Sequence, residues 1–395
     1  MLSIISTVGT TVFGKYESPL ATKMRELENE NLSHVDIAKI KTGKFESAEP
    51  IFEQALADLK AKSGEFLRRA TAEINAIEGV HDLNNVRSGN EYWFIASHTA
   101  SGVLAARVLA AFCAEHYQAT HSEVAIIQGL QVKDARAFRL TGLPMLVKKL
   151  YELIDSAKAK HFRVVLNPTG GFKAAIPYIT LVGMLRQSQG VQVSLIHETS
   201  TELITLADLP ISLNINAIAQ IRALLEQCDA EQNKGVPQDE VVRGLGLTRR
   251  EMVENHPLWS LFEQFDSNHY ILSGLGEIAL KELQTSARQT VWLSKQAHER
   301  FSASDNNLQA QLTRIFEQMR DTEWVKLNLH ATNKDKLKIL KPSGAERPLF
   351  YYQDDGSLVI ADIGLKNDGS YDRISRDFDI LKRIDYPLFS AWEGR

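Results

Sequence analysis

Short apolar runs alternate with longer amphipathic runs over the first 210 residues, and this alternation narrows the possible folds more than any other feature. Six segments have the length and composition of strands, and most are followed by a helical pattern. They are LSIIST, EYWFIAS, SEVAIIQ, FRVVLN, VQVSLIHE and ELITLA. Strands and helices alternating at this spacing predict a mostly parallel sheet covered on both faces. We therefore expect an α/β, Rossmann-like domain over residues 1–210, with a helix-rich stretch of open function from about Pro19 to Ala76.

Two further segments follow this domain. Residues 211–285 contain a helix, a glycine turn, a second helix capped by Thr248, a hairpin and a closing helix, which is the layout of a winged helix-turn-helix. Residues 286–395 begin with two amphipathic helices from about Val291 to Asp321. Four short strands with a DDGS hairpin turn follow, and a final helix begins near Tyr371. This segment predicts an α+β domain with a small antiparallel sheet.

Size, charge and cysteine content exclude several classes of protein. A chain of 395 residues exceeds the usual size of one hydrophobic core. The net charge of -4 gives no general attraction to nucleic acid, so any contact with RNA needs a local patch. Cys113 and Cys228 make neither a disulfide framework nor a zinc site. Because the sequence has no basic leader and no apolar run of about eighteen residues, we expect a cytoplasmic protein with no membrane span, metal or cofactor.

Three predicted strand ends carry small, polar, glycine-containing loops: STVGTT (Ser6–Thr11), SHTASG (Ser97–Gly102) and NPTGGFK (Asn167–Lys173). Ligands bind beyond the carboxyl ends of the strands in open parallel sheets. Glycine lets backbone N–H groups approach an anion, hydroxyl groups donate to phosphate oxygens, and Lys173 adds a full charge. Each loop alone is more typical of a tight strand-to-helix turn. Together they predict a phosphate-rich ligand, and the absence of GxGxxG and GxxxxGK[ST] disfavours NAD and ATP.

The first and third loops, read as STVGTT and LNPTGGFKAAIPYITLVG, resemble the two signature motifs of CARF domains, the Rossmann-fold sensors associated with CRISPR systems. The likeness covers most of residues 1–210. It implies a homodimer that binds a cyclic oligoadenylate across its two-fold axis, with cyclic tetra-adenylate favoured as the activating ligand. Some relatives also cleave the ring slowly, and Lys173 with Thr11 would serve that reaction. The resemblance places the following residues in the ligand pocket: Thr10, Thr11, His98, Thr99, Asn167, Thr169, Gly170, Gly171 and Lys173.

The C-terminal segment carries a dense group of cations in KDKLKILKPSGAERPLFYY. Its two helices and following strands resemble RelE-type mRNA interferases, which cleave mRNA in the ribosomal A site. The resemblance implies the catalytic residues Lys336, Lys338, Arg347, Lys366 and Tyr371. The family has arginine where Lys366 stands, and the loop between Lys338 and Arg347 is longer than in the family.

These residue types suit RNA cleavage without a metal. Because neighbouring lysines repel each other's charge, Lys336 or Lys338 has the character of a general base. Arg347 would neutralise charge on the phosphoryl oxygens, Lys366 would protonate the leaving oxygen, and Tyr371 would stack on a base. From residue 290 to the end, 16 Lys and Arg balance 16 Asp and Glu. We therefore expect docking on the ribosome through a contact with a ribosomal protein.

Other readings of these segments stay open. The lysines are also typical of a solvated edge strand. The first two domains alone would make a ligand-responsive transcription regulator. RREMVENH, with Arg249 or Arg250 and His256, matches the R-x4-6-H motif of another CARF ribonuclease class. A metal-dependent nuclease would use acidic residues, but Asp354, Asp355 and Asp362 lack the Asp…(Asp/Glu)-x-Lys spacing.

Overall fold

A computed structural model describes most of the chain, and it divides into two compact units, residues 1–281 and 282–395. The residues described are 1–14, 17–30, 32–131, 134–196, 200, 202–207, 209, 211, 213–247, 256–286, 291–320, 325, 328–330, 337–342, 344–353, 357–367, 369–370 and 388–392. Within these ranges no helix combines the length and the apolar character needed to cross a membrane. The predicted boundaries at 210 and 285 stay a prediction.

The first unit contains a six-stranded sheet in the order β3-β2-β1-β4-β5-β6. The strands are β1 Leu2–Thr7, β2 Glu91–Ser97, β3 His121–Ile127, β4 Arg163–Asn167, β5 Val191–Ile196 and β6 Leu203–Thr205. β1 to β5 are parallel, and β6 is antiparallel to β5. The predicted mixed α/β architecture with a parallel sheet is therefore confirmed. The strand order reverses between β1 and β4, which is where such sheets bind ligands.

Helices cover both faces of this sheet. They are α1 Pro19–Glu28, α2 His34–Thr42, α3 Glu49–Lys60, α4 Gly64–Arg68, α5 Ala72–Asn84, α6 Ala100–His116, α7 Ala135–Ala137, α8 Leu143–Ala159 and α9 Ile176–Leu185. One apolar core lies under α1, α2, α3, α5 and α6, and a second lies under α8 and α9. The stretch after Pro19 is helical, as the sequence predicts. Side-chain caps begin several of these helices, for example Ser33 at α2 and Thr99 at α6.

Residues 211–281 add short elements to the first unit. They are α10 Ile215–Ala219, α11 Arg222–Ala230, β7 Val236–Pro237, α12 Gln238–Gly244, β8 Phe262–Gln264, β9 His269–Leu272 and α13, which begins at Gly274 and ends at Ser286. β7, β9 and β8 form a small antiparallel sheet. The predicted second helix of the helix-turn-helix, capped by Thr248, lies outside the described residues. The winged helix therefore stays a prediction.

The second unit is built on another six-stranded sheet, in the order β11-β12-β13-β14-β10-β15. Its elements are β10 Val291–Ser294, α14 Lys295–Ser302, α15 Asn306–Met319, β11 Leu329–His330, β12 Lys338–Leu340, β13 Glu346–Tyr352, β14 Leu358–Leu365 and β15 Leu388–Ala391. β10 pairs with β14 in parallel, and the other pairs are antiparallel. The sheet is thus larger than predicted and mixed.

The prediction of a helix from Val291 was wrong for its first four residues. Val291 and Leu293 alternate into the apolar core as a strand requires, and the helix begins only after Ser294, whose hydroxyl accepts a hydrogen bond from the Ala297 N–H. The strands predicted around Lys338, Arg347 and Val359 are present. Of the strand predicted in EWVKLNLHA, the described residues form a strand only at Leu329–His330, and Val325 and Asn328 are helical. The DDGS turn and the final helix near Tyr371 fall outside the described residues, except for Ser357.

The two faces of this sheet differ in what they contact. Phe350, Leu340 and Ile360 pack with side chains of α14 and α15, and we call this the helix face. Ile339, Leu349 and other strand residues form a smaller cluster, joined by Leu337 next to β12, on what we call the second face. Neighbouring residues on a strand project to opposite faces, so these two clusters assign faces along β12 and β13. Along β14 the alternation is interrupted by an irregularity opposite Leu349 and Phe350, and positions beyond it follow from their pairing with β13.

Candidate functional site: a glycine-lined cavity

The first unit has a cavity of about 940 Å³ at the carboxyl ends of β1, β2 and β4. All three small-residue loops predicted from the sequence contribute to its lining. Eight of the nine predicted ligand residues line it: Thr10, Thr11, His98, Thr99, Thr169, Gly170, Gly171 and Lys173. These residues therefore lie around one space, whereas their contact with a ligand stays a prediction.

The end of β1 and the loop that follows it contact the loop after β4 closely. The Thr7 hydroxyl donates to the Gly170 carbonyl oxygen at 2.5 Å. Gly171 has a φ of 85°, and a Cβ there would lie 2.8 Å from the Val8 carbonyl oxygen. Only glycine meets both the conformational and the steric demand at this position. The two loops therefore form one continuous floor.

Asn167 lies beneath the cavity and does not line it. Its side chain is fully buried; Nδ2 donates to the Ser6 hydroxyl at 3.0 Å, and Oδ1 accepts from the Thr169 N–H at 3.3 Å. The Thr169 hydroxyl in turn accepts from the Ile196 N–H at 3.1 Å. Asn167 therefore holds the loop after β4 in place against β1. A buried polar residue at a strand end is indistinguishable from a lining residue in the sequence alone.

The loop after β2 leads directly into α6. The Thr99 hydroxyl accepts from the Gly102 N–H at 3.1 Å and lies 3.0 Å from the Ser97 hydroxyl. A Cβ at Gly102 would lie 2.1 Å from that Ser97 oxygen, so a larger residue there would displace the Ser97 hydroxyl. Because Thr99 is the N-cap of α6, the partial positive charge of a 17-residue helix is directed at the cavity.

α1, α2 and the residues between them supply one wall of the cavity. Glu28, Leu32, Ser33, His34 and Ile37 all line it. The sequence left the function of this stretch open, and nothing in its local pattern indicates proximity to the strand ends. These wall residues come within reach only because α1 and α2 pack against α6 in the first apolar core.

Glu73, on the first turn of α5, is a lining residue that the sequence did not single out. Its side chain is 1% exposed, and Oε1 accepts from the Gly9 N–H at 2.6 Å. Burial raises the pKa of this carboxyl above its usual range. A carboxyl group therefore lies at the floor of a cavity that is otherwise rich in N–H and hydroxyl groups.

The residues predicted to cleave RNA lie on the second unit, and the structure describes three of the five. Lys336 and Tyr371 fall outside the described residues. Lys338 pairs with Phe350 and precedes Leu340 by two residues, so it lies on the helix face. Arg347 shares its face with Leu349, two residues further on, and therefore lies on the second face.

Lys366 and Lys341 lie on the second face with Arg347. Arg347 pairs with Gly364, and the Lys366 N–H donates to the Ala345 carbonyl oxygen at 3.0 Å, which continues this ladder. The β12 ladder also continues, because the Lys341 N–H donates to the Asn328 carbonyl oxygen, and this puts Lys341 opposite Arg347. Lys341 and Lys366 are exposed. The structure thus places Lys341 on the same face as Arg347 and Lys366, and Lys338 on the opposite face.

Arg347 itself is 9% exposed and holds the turn before β13. Its Nη1 donates to the carbonyl oxygens of Gly344 and Glu346, at 2.6 and 2.7 Å. A guanidinium bound in this way supports the loop on which Lys341 and Ala345 lie.

The remaining candidates are placed as follows. Asp362 is buried, accepts from Gln296 Nε2 at 2.9 Å and lies 3.3 Å from Arg300 Nε, so its carboxylate is engaged in the fold. Asp354, Asp355, Arg249 and Arg250 fall outside the described residues. His256 Nδ1 accepts from the Leu258 N–H at 3.3 Å.

The parallel sheet with helices on both faces, and the cavity at its switch point, are compatible with a Rossmann-like α/β domain. Residues 68–209 match the family model described as CRISPR-associated protein (Cas_APE2256), a family of the CARF type. The matched segment includes Glu73 and the loops after β2 and β4. No curated protein matches the chain.

Proposed function

We propose that this chain is an ancillary protein of type III CRISPR defence whose cavity binds a cyclic oligoadenylate, with cyclic tetra-adenylate as the activating ligand. The observation that carries the proposal is the convergence of three small-residue loops on one cavity within a domain that matches a CRISPR-associated family. Backbone N–H groups, threonine hydroxyls and Lys173 suit phosphodiesters. The cavity volume of about 940 Å³ lies near the upper end of the range for ligand pockets.

A homodimer would complete the binding site. A cyclic oligoadenylate with an even number of units has two-fold symmetry, so two copies of the same loops would contact equivalent phosphates. Such a ligand activates only by binding more tightly to the active arrangement than to the inactive one. The same site would cleave the ring slowly if Thr11 and Lys173 stabilise the phosphate under attack by a ribose 2'-hydroxyl.

For the second unit we propose a RelE-type endoribonuclease that cleaves mRNA in the ribosomal A site without a metal. Two amphipathic helices are followed by a sheet with Lys341, Arg347 and Lys366 on the face opposite these helices. The 2'-hydroxyl would lose its proton to a base and attack the adjacent phosphorus. The 5'-oxygen would then leave with a proton, and a 2',3'-cyclic phosphate would remain.

The alternation of faces favours Lys341 over Lys338 as the lysine that acts with Lys366 on the RNA. The two exposed cations would contact the phosphoryl oxygens, and Arg347 would hold the turn between them. Lys336 and Tyr371 keep the roles predicted from the sequence. Since the C-terminal charges balance, docking would depend on a ribosomal protein more than on ribosomal RNA phosphates.

The test is mRNA cleavage on purified ribosomes in EDTA, with and without cyclic tetra-adenylate, mapped by primer extension. Cleavage within the A-site codon only when the ligand is present is expected. If the ligand binds but no mRNA is cut, the nuclease proposal fails and the ligand proposal stands. Specific binding to duplex DNA in place of cleavage supports the transcription regulator. Chromatography of the ligand after the incubation shows whether the ring has been opened.

A further inference from the structure

Glu73 lies at the junction of the two loops that form the cavity floor. Thr71 is the N-cap of α5, and its hydroxyl accepts from the Ile74 N–H at 3.0 Å, which fixes the first turn that carries Glu73. The Glu73 side chain lies across the open Cα of Gly170, where a Cβ would come 1.9 Å from Oε1. Oε1 also accepts the Gly9 N–H. One carboxyl group therefore contacts both loops.

The second oxygen of this carboxyl has no hydrogen-bond partner among the described residues, although it is buried. Within the same parts of the chain, no Lys, Arg or His forms an ion pair with Glu73. The charged and titratable side chains that line the cavity around it come from four elements: Glu28 of α1, His34 of α2, His98 after β2 and Lys173 after β4. On α5 itself, Glu78 pairs with Arg87.

A carboxylate in this place would be unfavourable for two reasons. Burial without a cation penalises the ionised form, which is why the pKa of Glu73 is raised. A bound phosphodiester would add negative charge close to the same group, and like charges at short range in a buried site repel strongly. The neutral acid avoids both costs, and its Oε1 still accepts the Gly9 N–H.

We propose that Glu73 is a positioning residue whose neutral carboxyl group holds the Gly9 and Gly170 loops ready for a phosphodiester ligand, so that ligand binding and protonation of Glu73 favour each other. This inference rests on the proposed function, because it requires that the cavity bind a polyanion. It adds that the affinity for the ligand depends on pH through one buried carboxyl on α5. Ionised Glu73 would place a negative charge at the floor of the cavity, where it would repel the phosphodiester.

The inference is tested by calorimetric titration of the full-length protein with cyclic tetra-adenylate, from about pH 6 to about pH 9, in two buffers of different protonation enthalpy. Wild-type affinity is expected to fall with rising pH, by up to about tenfold per pH unit above the pKa of Glu73 in the free protein. Binding in that range should take up protons. Glu73→Gln, which is neutral at every pH, should match the wild type at low pH and bind more tightly than it at high pH.

Glu28→Gln removes the other carboxyl group that lines the cavity, and its ligand affinity should still fall with rising pH. If this fall disappears in Glu28→Gln but persists in Glu73→Gln, the assignment to Glu73 is overturned. Identical pH profiles of the wild type and Glu73→Gln overturn it too. If Glu73→Gln fails to fold in a melting experiment, proton uptake by the wild type decides alone, and its absence overturns the proposal. No binding by the wild type at low pH would instead contradict the proposed function.

Discussion

His34 stacks on His98 inside the cavity, with ring centroids 4.5 Å apart, planes 11° from parallel, and His34 Nδ1 3.1 Å from His98 Nε2. His34 is the first residue of α2, behind a capping box formed by Ser33 and Asp36. His98 belongs to the loop after β2. The contact therefore joins the helical stretch, whose function the sequence left open, to the carboxyl edge of the sheet.

Replacement of His34 should weaken ligand binding. In His34→Ala a ring of the cavity wall is lost, and an aromatic contact between this ring and an adenine base would be worth about 0.5–1.5 kcal/mol, or roughly 2- to 12-fold in affinity. Calorimetric titration with cyclic tetra-adenylate measures the change. His161→Ala, at an exposed turn before β4, is the matched control and should bind like the wild type. Equal affinities for all three proteins would show that α2 is no part of the binding site.

The close approach of the two loops should make Gly171 intolerant of any side chain. Gly171→Ala places a Cβ 2.8 Å from the Val8 carbonyl oxygen and also adopts a positive φ, so both ligand affinity and melting temperature should fall. Gly64 also has a positive φ, of 53°, but nothing lies within 4 Å of a Cβ there. Gly64→Ala should therefore show only the backbone penalty, about 1–2 kcal/mol, with unchanged affinity. The same loss of binding in both variants would refute the steric explanation.

The face assignment in the second unit distinguishes two lysines. If the second face contacts RNA, Lys341→Ala should reduce ligand-dependent mRNA cleavage by about 100-fold, which is the usual contribution of a group that acts on the reacting atoms. Lys338 lies on the helix face, so the cleavage rate of Lys338→Ala should stay within about threefold of the wild-type rate. Single-turnover cleavage on ribosomes gives both rates, and circular dichroism shows that the variants are folded. A larger loss for Lys338→Ala would reverse the assignment.

Ionisation of the buried Glu277 carboxyl group should lower the stability of the first unit. Burial raises the pKa of Glu277 to about 7, although Lys148 Nζ lies 3.3 Å from its carboxylate. Because the folded pKa exceeds the unfolded one, the stabilising contribution of the proton is complete below the unfolded pKa and is lost as the pH rises through about 7. Glu277→Gln should therefore gain stability relative to the wild type at about pH 8, by roughly 2–3 kcal/mol, and much less at about pH 5. Urea denaturation at both pH values measures the difference, and a constant difference would contradict the pKa.

Much of the first unit follows from local sequence. Each strand of its sheet is an apolar run, and each of the three loops is marked by glycine with Ser or Thr. These signals are local because a strand needs alternating or continuous burial over a few residues, and a tight turn needs particular backbone angles. The parallel arrangement follows from the helices between the strands, and this places the loops on one edge. The position of the cavity, at that edge of the sheet, could therefore be predicted from the sequence.

In the second unit the sequence predicted β12, β13 and β14, the short β11 in part, and the two helices, but not the pairing of the strands. β10 was taken for the start of a helix, because a four-residue apolar segment before an amphipathic helix has no distinct period. β15 was not foreseen either. The face on which Lys338 or Lys341 lies depends on strand register, and a shift of one residue exchanges the two faces.

The sequence by itself determined the order of strands and helices in the first 210 residues, the glycine-rich loops and the cations of the second unit, because these depend on residues close together in the chain. Only the tertiary structure decided that His34 and Glu73 reach the cavity, that Asn167 lies beneath it, and that Lys341 shares a face with Arg347. Those contacts join residues far apart in sequence or depend on register. They are fixed by how apolar surfaces pack, which no local pattern encodes.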